Sequence, residues 1–375
     1  MDKGIQLSLY IGPVPIPAPR EWVEALVSVK VDAGSGDAQS GFELVFELPP
    51  RSPLRTIFLV SGGGGGVPLM RVGLVVTMGA RAEPIVDGMA TTVNMTPGPG
   101  GIGRVTVRGK DMSALMDVIE FNGIPYPAMP PSLRVLLMLA KYAALGIVPM
   151  VIPSIVDAPP LPTDRIPLQR GTDYGYIKRL ASDVGYVFYL SPGPVPGTST
   201  AYWGPEIRVG VPQPALTAGM DAKTNVEDLN FEFDRERKRM PIVYFQERFS
   251  KVGIPIPIPD ITPLNPPLGA LPPLPPKIEF LNDTAHLGPA EALMRGLAFA
   301  GQNSDSVFGS GRLDVARYGR VLKSRQLVGV RGAGLPYDGL FYVKSVSHDI
   351  ERGSYKQSFT LARNGLLPTV PSVPV

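Results

Sequence analysis

The sequence contains no cysteine and only two histidines among its 375 residues. Without cysteine the chain has no disulfides, no thiolate nucleophile and no zinc site built on sulfur. His286 and His348 are far apart in the sequence, and no pattern brings them together for a metal cluster or a Ser-His-Asp triad. We therefore predict no catalytic residue, no metal site and no cofactor, and we interpret His348 as a packed or hydrogen-bonded strand residue.

Charge is also scarce, since charged residues make up 18% of the chain and the formal net charge is only +3. A field this weak does not draw a protein to nucleic acid or to acidic lipid. Four basic residues at 235–239 could neutralise phosphates, but no aromatic residues are interleaved with them. We interpret this run as a solvated loop and predict no recognition of nucleic acid.

Long hydrophobic runs are missing as well. The most apolar stretch, residues 133–152, is interrupted by Arg134, Lys141 and Pro149, so we predict a buried helix there and no membrane span. The first ten residues lack the basic start and apolar run of an export signal. This predicts synthesis and folding in the cytoplasm.

Short alternating apolar runs dominate the first 110 residues. Apolar residues recur at every second position over 42–48, and similar runs cover 71–78, 89–95 and 103–108. Four such strands with turn residues between them predict a first β domain over residues 1–110, either a barrel or a sandwich. The glycine run at 62–66 lacks a following Gly-Lys-Ser/Thr, so we interpret it as a plain loop.

The next region, 111–225, has the pattern of an α+β domain. Asp111 or Ser113 is placed to cap a helix over 114–119, and a second helix is predicted after Ser132. A third helix is predicted over 174–184, closed by Gly185 and followed by a strand over 186–190. The apolar face of the second helix is expected to contain Val135, Leu136, Leu139, Tyr142 and Ala143.

Residues 226–250 and 310–366 are predicted to form a second barrel, interrupted by an insertion over 251–309. Within this insertion, prolines recur so densely over 253–276 that an extended arm is expected, followed by a short helix over 290–299. Composition leaves open whether the arm is a stiff spacer or a strap on a neighbouring subunit. Residues 367–375 form a tail.

The two β regions resemble one another. Residues 85–111 and 335–365 each contain an Asp-Gly turn, at Asp87 or Asp338, and a second strand that ends at Arg108 or Arg363. Each is preceded by an arginine-led apolar strand, over 71–77 or 325–330. Two similar barrels in each copy of a trimer present six similar units around one axis.

Three segments together resemble the baseplate hub proteins of contractile tails, the phage late-control D and VgrG-type family. They are residues 311–366, with a Tyr-Val-x-x-Val-x-His run at 342–348, residues 173–204 and residues 105–117. They cover roughly half of the chain in the order of the family. The resemblance implies an α+β, β-rich fold with two similar antiparallel tube-like barrels, an α+β domain between them and a proline-rich arm.

The function implied by the resemblance is that of a structural baseplate hub. The expected hub is a non-enzymatic homotrimer that connects a sixfold tail tube to a threefold central spike, within a phage virion or an injection particle. The expected partners are the spike, the tube proteins and the baseplate wedge components. Many family members continue into a β-helical spike, whereas this sequence ends at Val375, so the spike is expected to be a separate chain.

Two other functions remain open at the level of sequence. One is a tail-associated peptidoglycan hydrolase, supported only by the carboxylates of Glu227, Asp228, Glu232 and Asp234. The basic residues that follow them favour a mixed-charge, solvated segment. The other is a glycan-binding β module, but Trp22 and Trp203 are isolated and typical of core or subunit-contact residues.

Overall fold

The computed structural model describes residues 4–12, 15–34, 39–54, 57, 70–154, 157, 159, 162–163, 166–246, 253–258, 265–275, 277–281 and 289–370. The glycine run at 62–66 and His286 lie outside these residues. The strands are β1 (Ile5–Ile11), β2 (Leu26–Ala33), β3 (Gly41–Leu48), β4 (Arg71–Met78), β5 (Arg81–Pro97), β6 (Gly103–Asp111), β7 (Ile147–Val151), β8 (Tyr186–Pro192), β9 (Ser199–Pro205), β10 (Gln213–Thr217), β11 (Val226–Phe233), β12 (Arg239–Gln246), β13 (Gly253–Pro257), β14 (Gly269–Leu271), β15 (Lys277–Leu281), β16 (Val307–Asp314), β17 (Leu327–Arg331), β18 (Gly339–Glu351), β19 (Ser354–Arg363) and β20 (Leu366–Pro368). The α-helices are α1 (Arg20–Glu24), α2 (Pro131–Ala140), α3 (Asp173–Asp183), α4 (Pro289–Gln302) and α5 (Val315–Tyr318).

Twelve strands form one large curled sheet. Its main path is β1-β4-β5-β6-β3-β2-β18-β19-β16-β11, and β17 pairs with both β18 and β10. All of these pairings are antiparallel except that of β10 with β17. The predicted β-rich α+β fold is confirmed.

The large sheet consists of two halves with one strand order. The first half reads β1-β4-β5-β6-β3-β2, and the second reads β10-β17-β18-β19-β16-β11. When the strands of each half are numbered along the chain, both orders become 1-4-5-6-3-2. The second half begins with β10, which precedes residue 226, and the two halves join where β2 pairs with β18.

Side chains at alternating strand positions point to one face of this curled sheet and form its core. The predicted alternation of β3 is confirmed, because Phe42, Leu44, Phe46 and Leu48 are all buried. In β19 the inward residues are likewise buried, and its turn from β18 contains Gly353 at a φ of 79°. One continuous hydrophobic core spans both halves, and each of its large apolar side chains contributes about 1.5–3 kcal/mol through burial.

A separate core belongs to the region between the halves, where α2 and α3 pack on the sheet β7-β9-β8. The predicted α3 is confirmed, with the Thr172 hydroxyl accepting a hydrogen bond from the Gly175 amide and Gly185 at a φ of 72°. The helix expected over 114–119 is instead a 3-10 helix over Met112–Asp117. Its cap is Asp111, which accepts from the Ser113 amide as expected.

The apolar stretch at 133–152 does not form a single buried helix, since α2 ends at Ala140 and β7 begins at Ile147. Val135 and Leu139 are buried as predicted, but Leu136 is 42% exposed, because Met138 turns inward in its place. No helix in the described part of the chain is long and apolar enough to cross a membrane.

The proline-rich insertion contributes small sheets rather than a free arm. β13 is an edge strand of the sheet β13-β12-β15, on which α4 packs, and β14 pairs with β20. Proline is tolerated at an edge because an outward position needs no amide donor. β12 falls within residues 226–250 but lies in this small sheet, not in the second half of the large one.

Candidate functional site

The acidic residues considered for glycan cleavage do not converge on a cleft. Glu227, Asp228 and Glu232 lie exposed along β11, and Glu227 pairs with Lys356 at 2.7 Å. Asp234 accepts a hydrogen bond from the Glu236 amide and pairs with Arg237 at 3.1 Å. Glu227 and Asp234 are therefore engaged in a surface ion pair and a turn, and Asp228 and Glu232 lie exposed on the strand.

The basic run at 235–239 is a short turn between β11 and β12. The Arg237 guanidinium lies 4.4 Å from the centre of the Phe308 ring, and Arg239 pairs with Glu279 at 2.7 Å. Lys238 is buried. Arg237 and Arg239 are thus engaged within the chain, and the run does not present its charges together as a phosphate-binding patch.

The two tryptophans and His348 occupy structural positions. Trp22 of α1 packs against the main core, and Trp203 is buried in the middle core with its ring edge-on to Tyr186. His348 is buried in β18, with Nδ1 2.7 Å from the Tyr355 hydroxyl. Burial lowers the pKa of His348 to about 4, against the opposing effect of Asp32, so the ring is neutral at pH 7.

Across the described ranges, no three His, Asp or Glu side chains are grouped as a metal ion would require. A cleft of about 480 Å³ lies between the first half, β8 and the loop before β17, and Asp111, Arg325 and His348 line it. Asp111 is already engaged with the amides of Ser40 and Ser113. The Arg325 guanidinium stacks on the Tyr189 ring at 3.9 Å, while its Nε and Nη2 atoms are buried without a hydrogen-bond partner among the described residues.

The feature that the geometry singles out is the equivalence of the two halves. In the first half, Val27 is an extra residue of β2 opposite β3, and Thr91 is an extra residue of β5 opposite β6. In the second half, Glu227 of β11 and Lys344 of β18 are the corresponding extra residues. β-bulges are specific features of a fold, and both bulges of the first half recur at equivalent strand positions in the second half.

The pairings on either side of these bulges give one consistent set of equivalent residues. Whether counted from the bulge at Val27 or from that at Thr91, Val105 of β6 corresponds to Gln357 of β19. β2 and β11 are related by a constant difference of 200 in residue number (26 and 226), and the bulged strands β5 and β18 by 253 (91 and 344). The repeat therefore extends to the register of individual strands.

The residue matches that indicated the repeat in the sequence are wrong, although the repeat itself exists. Asp87 and Gly88 lie inside β5 and correspond to Leu340 and Phe341 rather than to Asp338 and Gly339. Likewise Arg108 corresponds to Thr360, not to Arg363. Turn dipeptides and terminal arginines recur in many hairpins, so they matched without being equivalent.

The junction of the two halves is a ladder from the pair Val346–Ala33 to the pair Glu351–Ser28. On its outer face the Ser347 hydroxyl donates to Asp32 at 2.6 Å, and Lys30 lies opposite Asp349. Its inner face is formed by side chains that are at most 9% exposed, those of Val29, Val31, Val346, His348 and Ile350. The halves are thus joined as one sheet rather than by a flexible linker.

A buried ion pair attaches the middle region to the first half. Arg71 of β4 donates twice to Asp87 of β5, with both distances 2.6 Å, and its third nitrogen donates to the Leu145 carbonyl at 2.7 Å. The Ser199 hydroxyl of β9 donates to the same Asp87 carboxylate at 2.5 Å. Paired and hydrogen-bonded in this way, the two charges are satisfied away from water.

A second buried pair attaches the middle region to the second half. Arg208, which follows β9, binds Asp305 through two bonds of 2.5 and 3.0 Å, and Lys344 reaches Asp305 at 3.0 Å. Burial alone would raise the pKa of Asp305, but Arg208 and then Lys344 lower it to about 2. Lys344 is also the bulged residue of β18, so the repeated bulge carries a side chain of this cluster.

These ion pairs were not found from the sequence. The only available signal was a charge within an otherwise apolar segment, such as Arg71 leading β4 and Asp87 in the middle of β5. Arg208 and Asp305 are 97 residues apart, and no local pattern relates them.

No protein-family model matches this sequence, and no curated protein does. Among solved structures, the fold is similar to a tail protein from Neisseria meningitidis MC58, with a TM-score of 0.64 and 14% identity over 97% of this chain and 98% of that one. It is also similar to the 43 kDa tail protein of prophage MuSo2 from Shewanella oneidensis, with a TM-score of 0.60 and 12% identity over 96% of this chain and 99% of that one. A third similar structure is the E. coli c3393 protein, a component of the type VI secretion system, with a TM-score of 0.57 and 12% identity over 93% and 78% of the two chains.

Proposed function

We propose that this chain, whose fold is that of tail proteins from phages and a type VI secretion system, is the structural hub of a contractile-tail baseplate. It works as a homotrimer that connects a sixfold tail tube to a threefold central spike, and it belongs to the late-control D and VgrG-type hubs. Its other partners are the baseplate wedge components. It is incorporated in a virion or an injection particle and has no enzymatic role.

The observation that carries this proposal is the repetition of strand order, register and both bulges in the two halves. A subunit with two equivalent half-sheets presents two equivalent surfaces, so three subunits around one axis present six. That arrangement resolves the mismatch between a sixfold and a threefold partner. A hydrolase or a glycan-binding module has no need of it.

The division of the chain that accompanies this proposal follows the sequence expectation. A first tube-like barrel over 1–110 and a second over 226–250 and 310–366 flank an α+β domain over 111–225. The second barrel carries the inserted arm over 251–309, and 367–375 is a tail. The pairing of β10 with β17 adds residues 213–217 to the second barrel, whereas β12 within 226–250 belongs to the small sheet of the insertion.

The buried ion pairs suit a mechanical role. Arg71 with Asp87 and Arg208 with Asp305 connect the middle region to both halves, so a displacement of one part has to break desolvated charge pairs. Packed interiors have low compressibility and transmit strain. Load applied during contraction would thus pass through the subunit without local yielding.

The test is the shape and mass of the purified chain. Light scattering should give the mass of three copies, and electron micrographs should show threefold rings with six similar lobes. Mixing with the tube and spike proteins of the same tail should yield a complex in which both bind. A monomer that binds neither protein, or a particle without threefold order, would contradict the proposal.

Zymography separates the hub from the hydrolase. The purified chain should leave no clearing on a peptidoglycan gel, alongside a lysozyme control that does. Clearing that disappears in a Glu227→Gln, Glu232→Gln variant would establish a hydrolase and contradict the structural role.

A further inference from the structure

Two strand edges in the monomer correspond to the two edges that are joined at the internal junction. At that junction β18 pairs, beyond its bulge, with β2. The equivalent of β18 is β5, and the equivalent of β2 is β11. The ladder of β5 with β4 ends at Met89, so beyond Thr91 the described pairing of β5 is to β6 alone. β11 is the terminal strand of the sheet, and its described pairing is to β16.

Burial distinguishes the joined edges from their equivalents, which have no second partner strand among the described residues. Val31 of β2 is 1% exposed and Val346 of β18 is 0% exposed. Their equivalents, Phe231 of β11 and Val93 of β5, are only partly buried, and Phe233 at the end of β11 is 40% exposed. Residues that are covered in one half are thus uncovered in the other, although the strands and bulges around them are the same.

We propose that the open edge of β11 in one copy of this chain pairs antiparallel with the open edge of β5 in the next copy, repeating the internal junction between β2 and β18. The inference deepens the proposed trimeric hub and rests on it for ring closure. Each copy supplies one edge of each kind, so the contact is head-to-tail. Three such contacts alternate with three internal junctions and close a ring of six half-sheets.

The register follows from the equivalence. Within the chain Val346 lies opposite Ala33 and Ser347 opposite Asp32. The bulges relate β18 to β5 by subtracting 253 from each residue number, and β2 to β11 by adding 200. The equivalent pairs between copies are therefore Val93 opposite Phe233 and Asn94 opposite Glu232 of the next copy. Thr96 then lies opposite Asn230 in the same ladder.

The side chains suit this register on both faces. Val93 and Phe233 fall on the inner face, where an apolar pair extends the core across the contact. On the outer face the Asn94 amide can donate to the Glu232 carboxylate, as the Ser347 hydroxyl donates to Asp32 at 2.6 Å within the chain. A slip by one residue would place Glu232 opposite Val93 and exchange the two faces, so the alternation specifies the register.

The absence of native cysteine makes disulfide trapping a direct test. Residues directly opposite on antiparallel strands have Cα atoms about 4.5–5.5 Å apart, within the reach of a disulfide. The double variant Asn94→Cys, Glu232→Cys should therefore form disulfide-linked dimers and trimers under mild oxidation, read on a non-reducing gel. Both positions are exposed, so the substitutions leave the folded subunit intact.

Two matched controls fix the register and the polarity of the contact. In Asn94→Cys, Asp228→Cys the second thiol is four residues along β11, roughly 13 Å away, and should give no crosslink. Each single cysteine variant should also give none, because a head-to-tail contact never brings two copies of one edge together. Efficient crosslinking by either control would overturn the proposal.

The outcomes separate this inference from the proposed function. Crosslinking that stops at three copies supports the ring, and a ladder that continues past three overturns it. A trimeric mass by light scattering without an Asn94–Glu232 crosslink overturns this contact and leaves the hub function standing. Crosslinked trimers that bind neither tube nor spike support the contact and defeat the function, while a monomer without crosslinks at any protein concentration defeats both.

Discussion

The buried cluster around Asp305 makes the most quantitative prediction about this fold. The side chains of Arg208 and Asp305 are only 2% and 3% exposed, and Asp305 receives bonds from both Arg208 and Lys344. Asp305→Asn keeps the size of the side chain but removes its charge. Arg208 then stays buried with only its longer contact of 3.6 Å to Glu206, and removing one partner is the costly way to break such a pair.

The expected loss of unfolding free energy is about 3–5 kcal/mol. Linkage accounts for part of it, because a pKa lowered from 3.8 to about 2 corresponds to roughly 2 kcal/mol. Since the folded pKa is the lower one, that part is present above pH 3.8 and is lost as the pH falls through 2. The remainder is the cost of burying Arg208 without the two bonds to the Asp305 carboxylate.

Urea unfolding at pH 7, followed by circular dichroism, measures this loss against a matched control. The control is Glu279→Gln, which breaks the exposed pair with Arg239 and should cost less than about 1 kcal/mol. The double variant Arg208→Met, Asp305→Leu removes both charges and should recover most of the stability. The reasoning would be refuted if Asp305→Asn cost no more than Glu279→Gln.

Three further predictions concern the junction, a close backbone approach and the open edge. Burial lowers the pKa of His348 from 6.5 to about 4, so as the pH falls the unfolded chain takes up a proton at this residue before the folded chain does. The free energy of unfolding of the wild type should therefore fall by about 2 kcal/mol between pH 7 and 5, measured by urea unfolding at each pH. The variant His348→Gln should not show this loss. Gly88→Ala should lower the melting temperature, because the added carbon would lie 2.3 Å from the Lys110 carbonyl oxygen. The control Gly4→Ala should leave the melting temperature unchanged, since no atom lies within 4 Å of its added carbon. Equal melting temperatures of the two variants would contradict the close contact at Gly88. Phe233→Lys should weaken trimer formation in sedimentation by roughly 30-fold per contact, whereas Phe280→Lys, at an exposed phenylalanine of the small sheet, should leave it unchanged.

Local patterns were sufficient wherever the cause of the structure was local. The alternation in β3 and β19 predicted which residues face inward, because successive side chains of a strand point to opposite faces. Asp111 as a cap and Gly185 as a helix end were predictable for the same reason. Leu136 was placed on the wrong face because an apolar run with several overlapping faces does not specify which one is covered.

The sequence did not predict contacts between residues that are far apart along the chain. The Asp-Gly dipeptides and arginines that indicated the repeat in the sequence are not at equivalent positions. The structural evidence for the repeat is that the same bulges interrupt the strand ladders of both halves. A bulge has no side-chain signature, and it becomes visible only when two strands are aligned in space. Bidentate pairing of Arg71 with Asp87 likewise depends on the register of β4 against β5.

The sequence by itself determined that this protein is a β-rich chain without thiol chemistry, built from strands of defined inner and outer faces around a helical middle region. Those properties depend on composition and on the spacing of apolar residues, which act over a few positions. Only the tertiary structure decided that the strands form two halves of one order, and which edges are joined and buried while their equivalents pair with no further described strand. Strand pairing joins residues hundreds of positions apart, and its choice depends on the twist and packing of the whole sheet rather than on any local preference.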